Sequence, residues 1–216
     1  RRVATEAELQ LRRAALEEKM RSREASRKEA VAAMTPKKLL KDIHHPLGRF
    51  NWAVFKVPGP DATGKGRKKY DDLRIVDAGN LSFDEMRPVL TDNQVYVAII
   101  RMGFGTGRFR RTKWISIWWK GDGVSRIKAG RLAARQGVAF KLMAPYSFTY
   151  TAQGSDDLTL QHLIDVVHAK LRHTVDAEPG AVDPFSLQSF LEALEEEIGM
   201  SDAKFAAAEA KAGGIL

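Results

Sequence analysis

The 216-residue chain contains no cysteine. That excludes disulfides, thiolate metal sites and a cysteine nucleophile, and it points to an intracellular home. No uninterrupted apolar run is long enough to cross a bilayer. The start, Arg1-Arg2-Val3, has neither an initiator Met nor an apolar signal core, so the native N-terminus is expected upstream. Nothing repeats at a fixed period, and there is no P-loop and no nucleophile elbow. Histidine is scarce and badly spaced for metal. His44 and His45 are adjacent and diverge in either regular structure. His162, His168 and His173 miss the three- or four-residue spacing that puts ligands on one helical face. The acid pairs Asp71-Asp72 and Asp156-Asp157 fall at a strand start and a helix start, where acids are ordinary. The chain therefore reads as a non-enzyme with no cofactor and no metal.

Positive charge is what the chain has in excess. Its net charge is +8, divided unevenly: +5 over residues 1–42, +10 over 43–173 and −7 over 174–216. A basic body between a basic arm and an acidic tail asks for an acidic partner.

Residues 4–34 hold good helix formers with no Gly or Pro, a capping-box pattern at Thr5 and Glu8, and a narrow apolar stripe. A polar helical arm is expected there. Pro36 opens a short helix through about Ile43. Strands are expected at 49–57 and 72–78, joined by a basic loop, 58–69. Ser82, with Glu85 three residues on, reads as the cap of a helix to about Leu90. A strongly apolar strand follows at 95–101. Gly103 to Phe109 contains a GxGxG run, but a strand rather than a helix comes next, so it reads as a hairpin loop and not a nucleotide cradle.

Residues 110–143 are the centre of the pattern. Trp114 to Trp119 reads as a strand covered on both sides, because Trp118 and Trp119 point opposite ways. The turn Lys120-Gly-Asp-Gly123 leads to Ser125, the cap of one long amphipathic helix over 125–143. Ile127, Leu132, Val138, Leu142 and Met143 form its expected inner side, and Arg126, Lys128, Arg131 and Arg135 its cationic surface. The buried tryptophans weaken a nucleic-acid reading, which needs aromatics on an open surface. After Pro145 come a strand at 146–151, a helix to about His173, a linker, a helix from Ser186 that Gly199 ends, and a last helix capped by Ser201.

From about Lys37 to Arg172 the order is helix, two strands, helix, two strands, long helix, strand, helix. That order resembles the actin-depolymerising-factor homology family, and within it the coactosin-like proteins. The resemblance rests on Asn51-Trp-Ala-Val-Phe55, on Leu90-Thr-Asp-Asn-Gln-Val-Tyr96, and on the run Arg110 to Ser125, in which a basic triplet precedes an aromatic strand, a Trp and Gly-acid-x-Val. It implies an α/β (α+β) fold, a mixed five-stranded sheet sandwiched by helices. The division is then an N-terminal helical arm (1–36), the domain (37–173), and an acidic linker with a helical tail (174–216).

The resemblance also implies a partner, filamentous actin. In the family the long helix enters the cleft between actin subdomains, and Lys113 matches a lysine that coactosins use on the filament. The actin-binding set it implies is Arg110, Arg111, Lys113, Arg126, Lys128, Arg131 and Arg135, in a protein of the cytoplasm and cytoskeleton. Gly130 and Gly137 interrupt the long helix. Here, too, a helix precedes the domain where many members have a short segment carrying a regulatory serine. That arm, lying over the long helix, would block the actin face, and the acidic tail folding onto the basic body would do the same. A rival expectation is a structural subunit of a microtubule or ciliary (axonemal) assembly, docked through residues 1–43 and 184–212.

Overall fold

Ten consecutive buried residues, Val95–Phe104, form β3 at the middle of the sheet. A run apolar on both sides of the pleat belongs where both faces are covered. The computed structural model describes residues 3–46, 48–57, 73–154, 158–171 and 183–213, with backbone alone at 17, 20, 23 and 201–213. In it β1 (Trp52–Lys56), β2 (Arg74–Gly79), β3, β4 (Arg111–Lys120) and β5 (Phe148–Gln153) make a mixed five-stranded sheet in the order β2-β1-β3-β4-β5. All neighbours are antiparallel except β4 and β5, which are parallel because a helical crossover joins them. The β3–β4 pair runs from Val95 opposite Lys120 to Phe104 opposite Arg111, so Gly103 and Phe104 still belong to the strand and the hairpin connection is 105–110.

The pleat sorts the core. Trp52, Val54, Ala98, Ile100, Ile115, Ile117 and Trp119 face one side, covered by α3 (Phe83–Met86), α6 (Leu160–Leu171) and α7 (Leu187–Gly213). Ala53, Phe55, Val97, Ile99 and Trp118 face the other, covered by α2 (Pro36–His44) and α5 (Gln136–Met143). Thr35 caps α2 by accepting from the Lys38 amide, and Leu39, Leu40 and Ile43 are its buried stripe.

The N-terminal helix α1 (Glu6–Ala32) has both halves of the capping box at Thr5 and Glu8. It lies chiefly along β2, α3 and α7. Four expectations need correction. The single helix over 125–143 is two, α4 (Arg126–Ala133) and α5, parted at Ala134-Arg135. Neither glycine is at the break, and Ala133 to Gln136 are good helix formers, so local propensity does not explain it. Two of the expected inner residues face solvent: Ile127 is 71% and Val138 41% exposed, while Leu142 and Met143 are buried. Gly199 does not end α7, and Ser201 lies inside that helix. One helical glycine costs about 1 kcal/mol, too little to stop a helix flanked by Glu195–Glu197 and an alanine-rich run. Finally, Ser82 has φ 81° and its side chain caps nothing. The strand start at Asp72, the loop 58–69, Asp156-Asp157 and the linker 174–182 lie outside the described residues.

Candidate functional site

The turn between β4 and α4 is set by close packing. Gly123 donates to the Asp92 carbonyl at 2.8 Å, and a side chain at Gly121 would run into the Asp92 backbone. Val124 is buried, and the Ser125 hydroxyl accepts from the Lys128 amide at 3.3 Å. That fixes where α4 starts. No residue of α4 is buried. Ala129 and Leu132 are half-buried against the core, above a cavity of about 290 Å³ that Val95, Trp118 and Ala133 help to line. Arg126, Ile127, Lys128 and Arg131 are all exposed. The Lys128 ammonium donates to the Gln94 side chain at 2.9 Å, tying the outer face back to the start of β3. Arg135, at the break, is half-buried.

The remaining cations lie at the other end of β4. Lys113 is half-buried and lies on the sheet face of Ile115, opposite Trp114 and α5. At about 3.3 Å per residue, Lys113 and Lys120 are about 23 Å apart along the strand. Arg111 is exposed, with its guanidinium 5.6 Å from the Phe185 ring centroid. Arg110 is engaged within the chain: it donates to Glu197 and lies 3.9 Å from Glu196, with its side chain 11% exposed. Burial pulls its pKa below the ordinary arginine value. The seven cations thus form two groups, with α4 in one and the β3–β4 hairpin in the other. Arg110 belongs to the intramolecular contact with α7.

Among the described residues, no group of three His, Asp or Glu side chains is placed to hold a metal, and no helix is long and apolar enough to cross a membrane. A model of the cofilin/tropomyosin-type actin-binding proteins matches residues 34–168, well over half the chain. The chain belongs to that family. Its sheet and helices are similar to those of human coactosin-like protein, at 14% identity over 64% of this chain and 94% of that one, with a TM-score of 0.50. Coactosin from Entamoeba histolytica is 19% identical over 63% of this chain and 91% of its own, with a TM-score of 0.49. Mouse coactosin, an actin filament binding protein, is 16% identical over 65% and 85%, with a TM-score of 0.43. Comparison with curated protein sequences gives no match.

Set on this cofilin-type frame, three residues stand out, one that sequence reading placed inside and two that it passed over. Ile127 reads as core by spacing, yet it is the apolar centre of the exposed α4 face. Phe109, at the hairpin tip, is 73% exposed with the Arg108 guanidinium 4.8 Å from its ring centroid. Arg101 is 2% exposed, and the signal was present: a charge ending the run Val95 to Ile100 must find partners inside.

Proposed function

We propose that this chain binds actin filaments, without catalysis and in the manner of a coactosin-like protein, through the outer face of α4. The observation that carries the proposal is that Ile127 is 71% exposed between Arg126 and Lys128, with Arg131 one turn on and all three cations exposed as well. Apolar surface ringed by cations on a rigid element suits an acidic protein cleft: the isoleucine loses water while the charges steer the approach. Arg111 and Lys113 form a second contact on the hairpin, and the partner places the chain with the cytoskeleton.

Co-sedimentation with filaments tests this, comparing the intact chain with Arg126→Ala/Lys128→Ala/Arg131→Ala. The intact chain is expected to pellet and to lose affinity as salt rises. The triple variant is expected to bind at least tenfold more weakly, about 1.4 kcal/mol. Equal pelleting by both chains rejects α4 as the contact. No pelleting of the intact chain at low salt means that the fold serves another cytoskeletal partner, with the outer faces of the arms the next surfaces to examine.

A further inference from the structure

Both arms fold onto the domain, but they are held by different chemistry. The helix α7 and the residues before it put Phe185, Phe190, Leu191, Leu194 and Ile198 into the core, so removing it would expose a large apolar area. In α1, Val31 is the one large apolar side chain that is buried among the described residues, and Leu9 and Leu16 are only partly covered. Its anchors are charges. Arg27 sits 2.7 Å from Asp77 and 3.2 Å from Glu85, donates to the Ala78 carbonyl, and has its guanidinium 5.6 Å from the Trp52 ring. Arg13 grips both oxygens of Asp84 at 3.1 Å, Arg12 is 3.8 Å from Glu195, and the Ala4 amide donates to Gln188. The fit is incomplete: Arg12 Nη1 and Arg13 Nε are buried without a hydrogen bond.

The domain therefore presents an acidic groove, lined by Asp77, Asp84 and Glu85 and closed at one end by Glu195, whose occupant is a helix that turns Arg12, Arg13 and Arg27 toward those acids. We propose that this groove is a docking site for α1 of a second copy of the chain, so that two copies associate by exchanging their N-terminal helices. Three observations favour that occupant. The partner's α1 has by construction the arginine spacing that the groove fits. A helix of 27 residues is about 40 Å long, enough to reach across to a neighbour. Only Ala33, Met34 and Thr35 join it to α2, so a change of backbone angles there redirects the whole helix. The Arg12–Glu195 and Arg13–Asp84 pairs are roughly 30 to 44% exposed on each side and are weakened by salt. Release of α1 from its own groove therefore becomes easier as ionic strength rises, while the apolar core under α7 is unaffected.

The absence of cysteine makes the test clean. Full chains carrying Arg13→Cys are mixed with full chains carrying Asp84→Cys and treated with a short bis-maleimide. An Arg13→Cys/Asp84→Cys chain reports the same contact within one molecule. Mixing Arg13→Cys with Gln161→Cys, on exposed α6, measures random collision. Exchange predicts covalent heterodimer from the 13–84 mixture, severalfold above the 13–161 mixture and increasing with salt. Internal cross-linking of the double variant with no heterodimer above the collision level overturns the proposal. So does failure of the double variant to cross-link, because α1 is then not in the groove.

Discussion

Replacing Arg101 by methionine is expected to destabilise the chain by about 3–5 kcal/mol, the usual cost of removing one partner from a buried ionic cluster. The side chain ends β3's apolar run and points into the packed face. There Nη1 donates to the carbonyls of Ile43 at 3.1 Å and His45 at 2.6 Å, and Nη2 to the Gly48 carbonyl at 3.1 Å and Glu197 at 3.3 Å. One guanidinium thus closes the end of α2, the turn after it and α7 onto the sheet. Burial lowers its pKa to about 10, opposed by the nearby Asp42 charge, so it remains cationic at neutral pH. Methionine fills much of the stem's volume but supplies no donor. The Ile43, His45 and Gly48 carbonyls each then lose a charged donor, although the Trp114 indole still donates to Ile43 and the Gly48 amide to His45, and Glu197 is left with Arg110 alone. Urea unfolding reads the loss as a lower midpoint with unchanged slope. A change below about 1 kcal/mol would mean that the cluster contributes little net stability.

The second large effect lies at Glu85. Its carboxylate, 5% exposed, accepts from the Trp52 indole N–H at 2.9 Å and the Leu81 amide at 3.0 Å, and it faces Arg27 at 3.2 Å. Gly79 leaves it room, since a side chain there would collide with the carboxylate. Glu85→Ala orphans two buried donors and is expected to cost about 2–4 kcal/mol. Glu85→Gln keeps one acceptor oxygen and costs less. The pH profile separates the charge from the hydrogen bonds. Burial raises the Glu85 pKa, outweighing the lowering by its donors and Arg27. The folded chain therefore binds this proton at a pH where the unfolded chain has released it. Stability from this group is present below the ordinary carboxylate range and is lost as pH rises through the raised folded value. Glu85→Gln is expected to remove that slope, and an unchanged slope would assign it to another group.

These two clusters also mark where sequence reading stopped. The strands and their order were legible because they are written in local terms: the alternation at Trp52–Lys56, the unbroken apolar run from Val95, and the Trp118-Trp119 pair that needs cover on both sides. The Ser125 cap was legible for the same reason. What was not legible depends on contacts distant in sequence. Glu85 reads as a capping-box acid to Ser82, but Trp52 and Arg27 draw it inward. Arg110 reads as one of a basic triplet facing a partner, until Glu196 and Glu197 arrive from α7. Ile127 has helical spacing for the core, but in α4 it is Ala129 and Leu132 that turn inward, which leaves Ile127 on the outer side. The face proposed for actin is therefore readable in the sequence through its charges and not through its apolar centre.

The central claim is that α4 presents that face to actin, and a reporter on α4 tests it without altering its cations or Ile127. Ala134 is exposed, caps the C-terminal end of α4, and in helical register falls two turns after Ile127 on the same side. In a chain with no native cysteine, Ala134→Cys carries an environment-sensitive dye as the single label, with Gln161→Cys on α6 as the distant control. With saturating filaments, the dye at 134 is expected to shift its emission and become shielded from a soluble quencher, while the dye at 161 is unchanged. A chain that pellets with filaments while the dye at 134 remains as accessible as in the free protein would contradict the account.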